Sequence, residues 1–157
     1  MAAFLELAAI SKALNDESNR VNALLLEFER KLCALNLGVE AWVTDQALTD
    51  RRLIETYEKY TGDREGELYR SYDQQLGFGQ IGDRWALVVR TVTFERPSVS
   101  SDWIVLSEGR PTALLQAARP IRVAALKTLD ALVETLTEKA KDMVQSIKAA
   151  EQTIEKL

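Results

Sequence analysis

Few residues in this chain could do chemistry alone. Histidine is absent, and Cys33 is the one cysteine among 157 residues. That excludes Ser-His-Asp and Cys-His catalysis in their usual forms, and any histidine-containing zinc site. A single thiol also rules out an intrachain disulfide and thiolate-rich metal centres. Carboxylates remain. Asp83 with Asp102, or Glu95 with Asp73, would do general acid–base work if the fold brought either pair together. Nothing in their spacing says that it does, so neither a catalytic residue nor a metal or cofactor site is assigned.

Gly77-Phe78-Gly79-Gln80-Ile81-Gly82 matches the G-x-G-x-x-G string. Dinucleotide binding needs a helix directly after it, so that phosphate meets a helix amino terminus. Here Arg84-Trp85-Ala86-Leu87-Val88-Val89-Arg90 follows, a strand pattern, and no V-A-I-K, H-R-D or D-F-G element supports a kinase loop. Glycines that permit a bulge and a tight Gly82-Asp83 turn account for the string without a ligand.

Arginine is unevenly placed. Ten of the twelve arginines fall between residues 51 and 122, whereas seven of the eight lysines fall outside that window. Guanidinium groups suit bidentate recognition of carboxylate or phosphate, and they stack on aromatics such as Tyr69, Tyr72, Trp85 and Trp103. Yet the window nets only +1, because ten acids share it, and nucleic-acid binders normally carry a clear basic excess. The candidate anion-binding residues are Arg84, Arg90, Arg119 and Arg122, the last two flanking the start of a predicted helix. Trp42, Trp85 and Trp103 fall on three different predicted strands and are expected as core or half-buried sheet residues. Cys33, between Leu32 and Leu35 in a helical pattern, is expected as a small buried or half-buried hydrophobe.

Two long helices must position whatever site exists. From Leu126, residues spaced alternately three and four apart are Leu129, Val133, Leu136, Ala140, Met143, Ile147, Ala150, Ile154 and Leu157, all apolar. That 3.5-residue repeat is the mark of a helix packed along a seam. Pro120 suits its first turn, which predicts a helix over 120–156. The amino-terminal third repeats the pattern. Leu7, Leu14, Val21, Phe28 and Leu35 share one heptad position, and Ser11, Ser18, Leu25 and Leu32 share the other. Gly38 supplies a stop, so a helix is predicted over 3–36. Each helix would span roughly 50 Å at ~1.5 Å per residue, more than the ~40 Å width of a compact chain this size. Two arrangements fit: an antiparallel stalk bearing a head, or two helices laid across a sheet. The seams could equally pair between chains.

The region 39–118 reads as sheet. Val39, Ala41 and Val43 alternate with polar neighbours, residues from Leu68 to Phe78 read as a half-buried strand, and Ala86-Leu87-Val88-Val89 is apolar on both faces. Trp103–Leu106 and Ala113–Ala117 follow as strands, divided by the Ser107–Pro111 turn cluster, while 45–66 reads as a loop. Short connections favour antiparallel pairing. The expectation is a single α+β domain over 1–157, with long amphipathic helices at both ends of a mainly antiparallel sheet of about five strands.

Composition fits that architecture: 46% hydrophobic and 28% charged residues, with a net charge of −4, describe an ordinary globular chain. Glu6 interrupts the apolar amino terminus and no apolar run reaches the ~18 residues of a membrane span. A cytoplasmic protein with no membrane partner is expected. The functional expectation is a non-catalytic protein-interaction or assembly module, an adaptor or chaperone-like dimer. It would bind a protein partner or itself through Val133, Leu136, Ala140, Met143, Ile147, Ala150 and Ile154. The alternative is an anion- or nucleic-acid-binding protein built on the arginine-rich sheet.

Overall fold

Helix α1 (Ala2–Ala34) and helix α2 (Arg119–Glu155) stand close to the predicted bounds. Asn36 ends the path of α1 at φ 50°, a left-handed conformation that Asn tolerates, and Gly38 follows at φ 63°. This computed structural model describes residues 1–49, 52–61 and 64–157, and side chains over 1–49 and 68–157. Between the helices lie β1 (Ala41–Trp42), β2 (Arg52–Thr61), β3 (Arg64–Ile81), β4 (Arg84–Pro97), β5 (Ile104–Glu108) and β6 (Thr112–Ala113). All their pairings are antiparallel. The protein is therefore α+β, and of the six strands among the described residues two are only two residues long.

The β3–β4 hairpin is the spine of the sheet. Its register runs from Leu68↔Pro97 to Ile81↔Arg84, closed by the two-residue turn Gly82-Asp83. Gly82 sits at φ 64°, the positive angle that hairpin turns reserve for glycine. Three expectations need correction. Within the predicted 45–66 loop, residues 52–61 and 64–66 are strand, since β2 and the start of β3 pair from Arg52↔Tyr72 to Thr61↔Arg64. Charges at Glu55, Glu58 and Lys59 obscure the Thr and Tyr content of this stretch, and a pairing partner decides what propensity leaves open. Second, β3 is not half-buried: Leu76 and Phe78 are buried on one face, while Ser71, Asp73 and Gln75 are buried on the other. Third, Ala113–Ala117 is mostly not strand. A 3-10 turn over Leu114–Gln116 drops Leu114, fully buried, into the core before α2 begins.

Both helices lie on one face of the sheet. Leu25 and Leu32 of α1, with Ala125, Leu132 and Leu136 of α2, pack on Leu76, Phe78, Leu87, Val89 and Leu114. Each fully buried leucine contributes about 1.5–3 kcal/mol. The helices run in the same direction: Arg119 donates to the Asn15 side chain at 2.8 Å, Arg122 donates to that of Asn22, and Leu32 and Leu35 stand beside Val133 and Leu136. The antiparallel stalk is thus overturned. Packing on a shared sheet, and not on each other alone, sets their direction.

Helix α1 also finishes the sheet. Beyond the short β6, the outer edge of β4 has no strand partner at Trp85 and Leu87 among the described residues. Two side chains one helical turn apart take that place. The Glu29 carboxylate accepts the Leu87 N–H at 2.9 Å, and the Cys33 thiol donates to the Trp85 carbonyl at 3.4 Å. In a strand those two backbone groups point to the same side. A helical i, i+4 pair matches their spacing.

Candidate interaction surface

The carboxylate pairs do not assemble. Glu95 stands on the helix side of the sheet with Arg70 at 3.7 Å, while Asp73 faces the other side. Asp83 closes the hairpin at the start of β4, and Asp102 precedes β5, which pairs with the far end of β4. Roughly 35 Å of strand lies between them at ~3.3 Å per residue. Among the described residues no group of three or more His, Cys, Asp or Glu could hold a metal ion.

The four predicted arginines are spread over both layers. Arg84 and Arg90 share the face of β4 away from the helices but are six residues apart, roughly 20 Å of strand. Arg90 is largely buried. Its guanidinium lies 4.2 Å from the Trp42 ring and bonds to Gln75 at 3.1 Å and Glu108 at 3.2 Å. Trp42 in turn donates to Glu40 at 2.6 Å. Arg96, further along that face, lies 4.9 Å from the Tyr69 ring and 5.3 Å from the Trp103 ring. Arg119 and Arg122 hold α1 through the two asparagine contacts described above. The glycine string serves this packing too, since a Cβ on Gly77 would come within 2.4 Å of the Trp42 ring.

Cys33 is exposed and not buried as expected. Its pKa is nonetheless raised, first by desolvation and then by the Glu29 charge, with Arg84 acting in the opposite sense. Such a thiol is a poor nucleophile at neutral pH.

The helices present a different kind of surface. In α1 the heptad position that is buried at Ser18, Leu25 and Leu32 continues backwards to Ser11 and Phe4, yet Phe4 is 68% exposed. Leu5, Leu7, Ile10 and Leu14 are exposed beside it. In α2 the buried stripe is Ile121, Ala125, Thr128, Leu132 and Leu136. Of the predicted seam, Leu136 is buried, Ala140 half-buried, Val133 at the rim, and Met143, Ile147, Ala150 and Ile154 exposed. Within the domain the buried set is therefore shifted one residue from the seam, as a straight 3.6-residue helix drifts against a 3.5-residue repeat. Past Ala140 every α2 residue is exposed, so its last turns project beyond the domain.

Where α1 stops and α2 continues, Leu35, Leu37, Val133, Leu136, Ala140 and Val144 line an open apolar groove of about 520 Å³. Its polar rim is Thr137, Lys141, Gln145 and Lys148, with no acid. The chain exposes 11115 Å², against the roughly 7,900 Å² typical of a compact monomer of 17.6 kDa. Sequence reading missed Phe4, Leu5, Ile10 and Val144. Phe4 was findable, lying seven residues before Ser11 on the same repeat.

The chain matches no protein-family model, no curated protein and no solved structure.

Proposed function

We propose that this protein is a non-catalytic interaction or assembly module that works through the apolar helix faces extending past its sheet. One observation carries the reading. The face that each helix buries inside the domain stays apolar where the domain no longer covers it, at Phe4, Leu7 and Leu14 in α1 and at Met143, Ile147 and Ile154 in α2. A monomer has no reason to keep a repeat apolar in water, and isolated helical ends of this length are marginally stable without packing. The reading with anion or nucleic acid on Arg84, Arg90, Arg119 and Arg122 has less support, because three of the four already donate to side chains of the protein itself.

The test is a photo-crosslinking amino acid placed at Ile147 in the full chain, irradiated in cells and in purified solution. A discrete cross-linked species, of the protein with itself or with one partner, is the expected result. Absence of any such species in both settings overturns the reading.

A further inference from the structure

We infer that the pocket formed by the start of α2, the first half of α1 and the segment after β1 binds a small organic carboxylate with a short hydrocarbon body. This pocket lies away from the Ile147 overhang, and its ligand does not depend on the interaction reading above.

Its charge is one-sided. Arg119, Val123 and Lys127 follow one another four residues apart, so they share a face of α2, and all three line the pocket. Both charged residues in the described lining are cations, and no carboxylate is among them. Asp45, next in sequence to the lining residue Gln46, is exposed and stands outside the wall. Lys127 has no ion-pair partner among the described residues. Arg119 is half-buried and spends an N–H on the Asn15 side chain at 2.8 Å. Its Nε is buried with no acceptor among the described residues. A guanidinium has five N–H groups in a fork that fits a carboxylate through two of them, so the Asn15 bond leaves Arg119 able to take one. Helix polarity acts in the same sense. α2 has no side-chain cap and no acid in its first turn, so the partial positive charge of its amino terminus is uncompensated there.

The rest of the wall is apolar. Leu14 of α1, Ala47 after β1, and Val123 and Ala124 of α2 supply it, with Leu14 and Val123 still 48% and 41% exposed. A hydrocarbon body covers these side chains, whereas a fully polar anion leaves them wet. Thr128 does not compete for the head group, because its hydroxyl donates to the Ala124 carbonyl at 3.1 Å. No aromatic residue is among the described lining, which removes the stacking platform that nucleobases use. The volume, about 690 Å³, falls in the range of small-molecule sites. Lys127 stands roughly 12 Å along the axis from Arg119 at ~1.5 Å per residue. Arg119 therefore makes the contact with the head group, and Lys127 adds an attraction that salt screens.

The experiment is amide NMR of the full chain titrated with octanoate, octanol, acetate and inorganic phosphate. Octanoate should move the amides of Gln46, Val123 and Lys127 saturably, with a Kd of about 1 mM, the range open to a ligand of about ten non-hydrogen atoms. Octanol has the same body without the charge, and acetate the same head without the body. Each should bind about tenfold more weakly or worse. Arg119→Gln should weaken octanoate about tenfold, and Lys127→Gln about threefold. Asn15→Ala removes the bond from Arg119 to α1 but leaves the guanidinium, so octanoate should still bind. A loss in Asn15→Ala as large as in Arg119→Gln assigns the effect to helix packing and overturns the inference. Octanol binding as tightly as octanoate overturns it, since the pocket is then a general apolar trap. Phosphate binding as tightly overturns the hydrocarbon body. Shifts confined to Leu35 and Val144 place octanoate in the groove at the other end of the helix pair, and no saturable shift leaves no site; either result overturns the inference. If an acetylated Glu-Leu-Glu peptide moves the three amides and octanoate does not, the occupant is a protein segment and the inference falls. The cross-linking experiment at Ile147 separately decides the interaction reading.

Discussion

Gly77 lacks a side chain because Trp42 occupies the space that one would take. The indole lies across the strand, and Arg90 lies over the indole in turn. Alanine at this position would bring its Cβ within 2.4 Å of the ring and 2.8 Å of the Ala41 backbone carbonyl. Neither the ring, held by Arg90 and Glu40, nor a paired backbone yields cheaply. Gly77→Ala should cost about 1–3 kcal/mol, the usual penalty for overpacking, read as a lower urea midpoint with unchanged slope. At this scale the sequence was half legible. Its glycine string could be dismissed as a ligand loop because a strand follows it. That Trp42 is what Gly77 accommodates could not be read, because the contact crosses between β1 and β3, far apart in the chain.

Among the elements, the helices were the most legible, since a long apolar repeat has few other solutions. Strand β2 was the least, since its stretch mixes Thr and Tyr with charges and became strand only by pairing with β3. The edge of β4 shows a further device, two side chains of α1 standing in for a strand. Removing one leaves the Leu87 N–H without a partner at the helix–sheet seam, so Glu29→Ala should lose about 1–3 kcal/mol. The same variant removes a charge that raises the Cys33 pKa. Cys33 alkylation at neutral pH should therefore accelerate in Glu29→Ala, followed by mass spectrometry as a function of pH. The sign for stability is also defined. A folded-state pKa above the unfolded value favours the native state below the unfolded pKa, and that contribution is lost as pH rises through the folded one.

For the whole molecule, exposed area is the deciding quantity. A chain that exposes about 3,000 Å² more than a compact monomer of its mass has surface to spare for a standard interface of ~1,600 Å². Assembly that involves only the folded state stabilises that state by mass action. The thermal midpoint of the wild-type protein should therefore rise with protein concentration, while that of Ile147→Glu stays constant, both read by circular dichroism. A midpoint independent of concentration in the wild type would place the overhanging faces outside any self-assembly.

Sequence by itself determined the two helices, the antiparallel sheet between them and the chemistries that a chain with no histidine and one cysteine lacks. These follow from local periodicity and composition, which need no knowledge of neighbours. The tertiary structure alone decided that the helices run parallel on one face of the sheet and end out of step. Register between distant segments depends on which surfaces meet, and no local pattern carries it. The apolar seam was visible in the sequence from Leu126 to Leu157. Only packing distinguished the part that the domain covers from the part that it leaves exposed.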